Sequence, residues 1–271
     1  IGGIGIGFAG GAGVIALSLI LGVPTSQSFI PVDVILIIMS VITAIAAMQV
    51  AGGMDWLVKI AENFLRKHPE RITFYAPIVT FVMTLMAGTG HTAFSTLPVT
   101  AEVAKGQGVR PSRPLSIAVV ASQIAITASP ISAAVVAFAA MLAPFGVDYL
   151  TLLMVCIPTT FIACMVGAVV ANYMGSELKD DPIYQERLEK GLIKLATEEK
   201  REILPTAKKA TYIFLAAIGF VVCYAAAISS SVGLIENPAL GRNEAIMSVM
   251  LAAAAAIVMF TKIDAAKISS A

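Results

Sequence analysis

The amino-acid sequence is 271 residues long, and 58% of its residues are hydrophobic while only 13% are charged. Soluble domains carry about a quarter charged residues, so this composition and the mean hydropathy of +0.89 exclude an ordinary soluble protein and indicate a membrane protein. The net charge of +1 argues against a nucleic-acid partner, because binding to phosphates requires a basic face or stripe.

Six or seven stretches of the chain are apolar enough to cross a lipid bilayer, which requires about 20 predominantly apolar residues per helix. They predict an all-α polytopic membrane protein. Two of these runs are interrupted by glycine, proline and hydroxyl residues. In chain order the runs are residues 1–22, 32–51, 72–101, 114–143, 150–173, 211–228 and 244–261.

The first run is rich in glycine. Gly5 to Gly10 match the dinucleotide-binding pattern G-x-G-x-x-G, but that pattern is meaningful only between a strand and a helix, and the apolar context does not fit. Gly3, Gly7 and Gly11 recur every four residues, which instead predicts close packing between membrane helices.

Basic residues lie on both sides of the third run, residues 72–101. Cytoplasmic loops carry the excess of Lys and Arg, so this run is predicted to enter and leave the membrane on the cytoplasmic side as a re-entrant hairpin. The next run, 114–143, then crosses once despite its interruption, and the linkers 22–31, 143–149 and 229–243 face outward. The flanking basic residues are Lys59, Arg66, Lys67, Arg71, Lys105, Arg110 and Arg113.

Two amphipathic helices are predicted outside the apolar runs. Residues 54–66 carry Trp56 where an aromatic side chain would lie at the membrane interface. The charged block 175–209 is predicted to be cytoplasmic, and Asp181 followed by Pro182 predicts the cap and first position of its helix. This helix is interpreted as a solvated connector, with a docking site for a regulatory partner as the alternative. Its apolar positions are Ile183, Tyr184, Leu188, Leu192 and Leu195.

The two interrupted runs form the candidate functional region, because non-helical backbone within a bilayer needs hydrogen-bond partners that lipid does not supply. Such breaks persist where protein or a watery cavity surrounds them, and they form the substrate sites of many transporters. For Ser129-Pro130 alone, a proline kink healed by hydroxyl groups is the alternative. The candidate substrate-binding residues are Gly88, Thr89, Gly90, His91, Thr92, Ser95, Thr96, Thr127, Ser129, Pro130 and Ser132.

The residue types in these breaks favour an anionic substrate. The apolar runs contain no Lys or Arg and the breaks no carboxylate that would neutralise a cation, whereas helix N-termini, backbone N–H groups and hydroxyls suit carboxylates. Each desolvated carboxylate costs several kcal/mol, and a helix end returns about 0.3 to 2 kcal/mol. Water, a co-transported cation or a second pair of breaks must therefore contribute. The sequence contains no metal-ligand or cofactor motif, and it leaves the coupling ion open.

His91 is the ionisable side chain of these breaks, and two interpretations of it are open. It is either a functional histidine that donates to a carboxylate or carries a proton, or a neutral histidine that caps the hairpin tip. Ser95 lies four residues further, on the same helical face, which gives an intramembrane hydrolase as an alternative function. No nucleophile-elbow motif supports that alternative. A sensor or scaffold subunit that docks a cytoplasmic partner at 175–209 is another.

Three stretches carry a family resemblance: residues 46–55 (AAMQVAGGMD), the hairpin 87–105 with its AGTGHT and LPV motifs, and residues 123–136 (QIAITASPISAAVV). The sequence DDPIY at 180–184 also fits. Together they resemble the anaerobic C4-dicarboxylate transporters of the Dcu type, nearer the DcuB than the DcuA branch. The resemblance extends essentially from end to end.

This resemblance implies a secondary transporter, not an enzyme, that exchanges fumarate, malate or aspartate for succinate across the bacterial inner membrane during anaerobic respiration. Another small-anion or amino-acid carrier of the same superfamily is the alternative. The implied fold is that of the ion-transporter superfamily, in which two inverted repeats each supply a re-entrant hairpin and a broken helix, and a homo-oligomer is possible. Sodium-coupled relatives have Ser-Asn-Thr where this sequence has Gly88-Thr89-Gly90, which argues against a sodium site.

Members of the family are much longer than 271 residues, so the chain is expected to hold the first repeat and the start of the second, and not to transport alone. The predicted division is scaffold helices with an interfacial helix at 1–71, a transport region at 72–143, a transmembrane helix at 144–174, the cytoplasmic loop at 175–209 and the first helices of the second repeat at 210–271.

Overall fold

Helices form the regular structure of the described part of the chain. The computed structural model describes residues 2–24, 26, 32–90, 94–190, 203–229, 234–235 and 238–270, and no strand occurs in these ranges. The helices are α1 (Gly2–Leu21), α2 (Val32–Val50), α3 (Gly53–Lys67), α4 (Ile72–Ala87), α5 (Leu97–Gly106), α6 (Ser112–Ile124), α7 (Ala133–Leu142), α8 (Tyr149–Asn172), α9 (Pro182–Glu189), α10 (Ala207–Ala227) and α11 (Arg242–Thr261).

Four of these helices, α2, α8, α10 and α11, are long and apolar enough to cross a membrane. Their sequences are hydrophobic on most sides, and large apolar side chains such as Met259 remain exposed on the surface of the chain. A helix that is apolar all round is buried in a large protein or in lipid. The prediction of an all-α polytopic membrane protein is therefore confirmed.

Helix α1 makes little contact with the rest of the chain. Phe8 and Leu19 are 77% and 81% exposed. An ideal Cβ at Gly7 or Gly11 would meet no atom within 4 Å, so no helix lies against this face and the predicted close packing does not occur within the described residues. The dinucleotide-like pattern lies inside α1, which is not the strand-to-helix context that it requires.

The remaining helices pack in two groups. Helices α2, α10 and α11 share one core, built around side chains such as Met48, Phe214 and Met250. Helices α3, α4, α5, α6 and α8 share adjoining cores on the other side. Ile131 and Val136, from the second interrupted run, belong to the first core and connect the two groups.

The two ends of the first interrupted segment lie side by side. Arg66, just before the segment, donates two hydrogen bonds to Glu102 near its end, at 3.0 and 2.9 Å. Ile72 and Val103 also share one core cluster. Since α4 has 16 residues and α5 has 10, they are about 24 and 15 Å long, so neither spans the ~30 Å hydrocarbon layer.

The second interrupted segment runs from one end of α8 to the other. At its start, Arg113 donates to the carbonyl of Met174, just beyond the last turn of α8, at 2.7 Å. After its end, Asp148 caps the first turn of α8. Asp148 also accepts a hydrogen bond from Ser229 at 2.5 Å and lies 3.7 Å from Arg242. Two of the three linkers that are predicted to face outward, 143–149 and 229–243, therefore contact each other.

Helices occur at both positions where amphipathic helices were predicted. In α3, the Trp56 ring packs against Tyr212 with 5.3 Å between centroids. In α9, the Asp181 carboxylate accepts hydrogen bonds from the backbone N–H groups of Ile183 and Tyr184, as the predicted cap requires. The predicted continuation at Leu192 and Leu195 lies outside the described residues.

Candidate functional site

The first break begins where α4 ends. Gly88 adopts φ +69°, a left-handed conformation that glycine accepts readily, and its N–H donates to the carbonyl of Thr84 at 2.8 Å. Helix α5 then begins at Leu97, with the buried Thr96 at its cap position and no side-chain cap hydrogen bond. The predicted site residues His91 and Thr92 lie outside the described residues.

The second break separates α6 from α7 completely. Residues 125–128 form one 3-10 turn, and Ser129 and Ser132 have extended backbones with ψ of 127° and 134°. Ser132 caps α7, because its hydroxyl accepts the N–H of Ala134 at 3.2 Å. A kinked but continuous helix would keep helical dihedrals through Ser129, so the structure favours a true break over the proline-kink alternative.

The two breaks contact each other. The Ser129 hydroxyl donates to the carbonyl of Leu85, in the last turn of α4, at 2.7 Å. An ideal Cβ on Gly88 would lie 3.0 Å from the side chain of Ile131, and one on Gly90 would lie 2.5 Å from Nε2 of Gln123. The segments that the sequence singles out separately therefore form one region.

Burial divides the predicted site residues into two sets. The side chains of Thr96, Ser129 and Ser132 are essentially inaccessible, and Gly90 and Pro130 are also buried. The accessible set comprises the exposed Thr127 and the half-buried Gly88, Thr89 and Ser95. The hydroxyls of Ser129 and Ser132 bond to backbone groups of α4 and α7, whereas the second set is at least partly accessible to solvent.

The carbonyl of Pro130 receives a hydrogen bond from outside the breaks. The hydroxyl of Tyr149, a side chain only 2% exposed at the start of α8, donates to it. The guanidinium carbon of Arg242 lies 5.3 Å from the centre of the Tyr149 ring, and Arg242 also faces Asp148. These contacts tie the second break to the ends of α8 and α11, and the sequence gives no signal of them.

Gln123 is not among the binding residues predicted from the sequence. It lies four residues before Thr127, and both side chains are exposed. The spacing of two polar residues in an apolar run could have indicated a shared polar face. The structure adds that the Gln123 amide lies against Gly90 of the other break.

The arrangement offers hydrogen-bond donors rather than reactive groups. Helices α5 and α7 direct their N-termini, which carry partial positive charge, toward the breaks. Within the ranges that the structure describes, no three His, Cys, Asp or Glu side chains are grouped to hold a metal ion. Hydroxyls, amides and helix N-termini suit the binding of carboxylates.

The whole chain, residues 1–271, matches the family described as anaerobic C4-dicarboxylate membrane transporter. It is 61% identical over 264 residues to the C4-dicarboxylate transporter DcuA of Wolinella succinogenes, covering 97% of this chain and 60% of that protein. The DcuA of Escherichia coli K12 is 51% identical over 265 residues, with the same coverage. The DcuA of Helicobacter pylori 26695 is 51% identical over 270 residues, covering 99% of this chain and 60% of that protein.

These relatives are named DcuA rather than DcuB, and this chain spans about three fifths of their length. No solved structure matches. The family and the relatives are transporters rather than enzymes, which removes the hydrolase alternative. Because the match covers the full 271 residues, the chain belongs to the anaerobic C4-dicarboxylate membrane transporter family.

Proposed function

We propose that the carrier containing this chain exchanges C4-dicarboxylates, with fumarate, malate or aspartate entering in exchange for succinate, across the inner membrane of a bacterium. The observation that carries this proposal is the contact between the two breaks, which brings the turn after α4 against the segment that separates α6 from α7. The names of the relatives supply the substrate class. The breaks supply the kind of group that would bind it.

In this proposal the accessible residues bind the carboxylates of the substrate, and the buried residues stabilise the backbone of the two breaks. Thr89, Ser95 and Thr127, with the backbone N–H groups of residues 88–90, donate to the substrate. Ser129 and Ser132 satisfy backbone groups inside the protein. Hydroxyls and helix ends repay only part of the cost of removing two carboxylates from water, so water or groups elsewhere in the carrier contribute the rest. His91 remains a candidate donor or proton carrier.

The topology follows the same proposal. Residues 72–101 form a re-entrant hairpin with both ends on the cytoplasmic side, and the contact between Arg66 and Glu102 supports this by joining its two ends. The short lengths of α4 and α5 support it as well. Residues 114–143 cross once, and the hairpin and broken helix move together against the group formed by α2, α10 and α11.

Two further interactions belong to the proposal. Assembly of the carrier into a homo-oligomer would cover the apolar surface that α1 leaves exposed. A regulatory partner at 175–209 would act in addition to transport and would dock on the α9 side of the molecule. Deletion of α9 tests the proposed regulatory partner. The proposal predicts that the variant still exchanges dicarboxylates but no longer binds the partner.

Exchange by the full-length carrier tests the proposed function. Proteoliposomes loaded with succinate should take up labelled fumarate, and uptake should require internal dicarboxylate because the mechanism is an exchange. Empty liposomes and proteoliposomes loaded with a monocarboxylate such as acetate provide the controls. Equal fumarate uptake with and without internal succinate would contradict the exchange, and no uptake at all would refute dicarboxylate transport.

A further inference from the structure

Gln123 precedes the second break in the chain, and its side chain lies against the first break. It lies in the last turn of α6, and its amide faces the first break so closely that a Cβ on Gly90 would be 2.5 Å from its Nε2 and 3.3 Å from its Oε1. The side chain is nonetheless exposed. It therefore contacts the hairpin turn on one side and is accessible on the other.

The amide of Gln123 makes no hydrogen bond to any residue in the part of the chain that the structure describes. The comparison is Gln185, whose amide donates to the carbonyl of Leu178 at 3.0 Å. Gln123 lies within an apolar run, where a polar side chain costs free energy unless a polar partner or water satisfies it. An unpaired amide at this point therefore needs water or a polar ligand as its partner.

The chemistry of the amide matches a carboxylate. Its two N–H groups are donors, and an ionised carboxylate is purely an acceptor with two oxygen atoms. A neutral donor also leaves the site without a fixed charge, so a dianion can be both bound and released. Thr127, four residues further along, is also exposed.

We propose that Gln123 binds one carboxylate of the substrate through its side-chain amide, and that residue 90 is glycine because any side chain there would displace that amide. The inference rests on the proposed dicarboxylate exchange and adds a specific binding residue to it. It also assigns a role to Gly90, whose backbone does not need the left-handed conformation that Gly88 requires.

The kinetics of fumarate uptake into succinate-loaded proteoliposomes test this role in the full-length carrier. Gln123→Leu removes the amide at similar volume and should raise the KM for fumarate about tenfold to a hundredfold, the range expected for a lost hydrogen bond to a charged group. Vmax should change much less. Gln123→Glu should raise KM further, because its carboxylate repels the dianion. Gly90→Ala should raise KM in the same direction.

Gln107 provides the matched control, because it is an exposed glutamine in the connection between α5 and α6, away from the breaks. Gln107→Leu and Gln107→Glu should leave KM unchanged. If Gln123→Leu keeps the KM of the unsubstituted carrier, or lowers Vmax alone, the binding role is refuted.

A binding measurement on the purified carrier makes the outcome independent of transport. Fumarate should raise the unfolding temperature of the unsubstituted and Gln107→Leu carriers, and should raise that of Gln123→Leu much less at the same concentration. Equal stabilisation of all three would overturn the role of Gln123. Absence of fumarate exchange in the unsubstituted carrier would instead overturn the proposed function, so the two failures are distinct.

Discussion

Hydroxyl residues at the breaks differ in what they do, and the difference follows from burial. Ser129 is inaccessible and its hydroxyl donates to the carbonyl of Leu85, so it joins the two breaks. Thr127 lies two residues earlier but is exposed, and its hydroxyl donates only to the carbonyl of Ile124 in its own chain segment. A hydroxyl of this kind can rotate toward a ligand at little cost.

Ser129→Ala should therefore destabilise the carrier. The substitution leaves the carbonyl of Leu85 without its hydroxyl donor in a buried position, which costs about 1 to 3 kcal/mol. Thermal unfolding in detergent measures the loss, and exchange should fall because the breaks no longer hold each other. An unfolding temperature equal to that of the unsubstituted carrier would contradict the structural role of this hydrogen bond.

Thr127→Ala should impair exchange without a comparable loss of stability. An exposed substitution changes the free energy of unfolding by about 0.5 kcal/mol or less, while the substrate loses one donor. The exposed Thr159 of α8, whose hydroxyl also bonds within its own helix, gives the matched control Thr159→Ala. Fumarate exchange unchanged by Thr127→Ala would remove this residue from the site.

The sequence identified the polar residues of the breaks but not their roles. Serine and threonine in an apolar run look alike whether they bond to backbone or to a ligand, because burial depends on neighbours distant in sequence. Ser129 and Leu85 are 44 residues apart. Tyr149 and Gln123 were not identified for the same reason. Tyr149 bonds to Pro130 and Gln123 lies against Gly90, and both of these partners are distant in sequence.

At the scale of elements, the positions of both breaks were predictable from local chemistry. Gly88 ends α4 because it accepts a positive φ. Pro130 is the second residue after the 3-10 turn that follows α6, and a proline cannot continue a helix in the usual way. The ends of the helices differ from the predicted apolar runs by a few residues. The separation of α6 and α7 by extended residues, rather than a kink, required the structure, because a proline alone is compatible with either.

Gly88→Ala tests whether the end of α4 also serves the contact between the breaks. A left-handed conformation costs a non-glycine residue about 1 to 2 kcal/mol, and the added Cβ would lie 3.0 Å from the side chain of Ile131. Gly108→Ala is the control, because Gly108 has a nearly identical φ of +71° and no atom within 4 Å of its Cβ position.

We expect Gly88→Ala to lower the unfolding temperature more than Gly108→Ala does, and to reduce exchange where Gly108→Ala does not. The comparison isolates the contact between the breaks because both variants carry the same backbone strain. Equal effects of the two substitutions would mean that strain alone accounts for the loss.

At the scale of the whole molecule, composition and the placement of basic residues predicted a polytopic helical protein, and the structure contains four helices that are able to span a membrane. The membrane sides of the interrupted segments stay a prediction, which two contacts support. The Arg66–Glu102 pair joins the two ends of the predicted hairpin, and the Asp148–Ser229 hydrogen bond joins two of the three linkers that were predicted to face outward.

The packing of α1 could not be predicted from the sequence. Its glycine spacing favours a close helix partner, yet the described part of this chain offers none. The family match extends over all 271 residues, while the relatives are longer. The contacts of α1 are therefore to be determined in the full-length carrier. Local motifs identified the family but placed the chain nearer its DcuB branch, whereas the relatives described above are named DcuA.

Protection of cysteines by substrate tests most directly the claim that both breaks form one substrate site. In a full-length carrier in which every native cysteine is replaced by alanine, including Cys156, Cys164 and Cys223, Thr89→Cys and Thr127→Cys each place one thiol in one break, and Gln107→Cys places a control outside both. Fumarate should slow the reaction of a maleimide with both break thiols and leave the control thiol unchanged. Labelling that is equally fast with and without fumarate at both break positions would contradict the account.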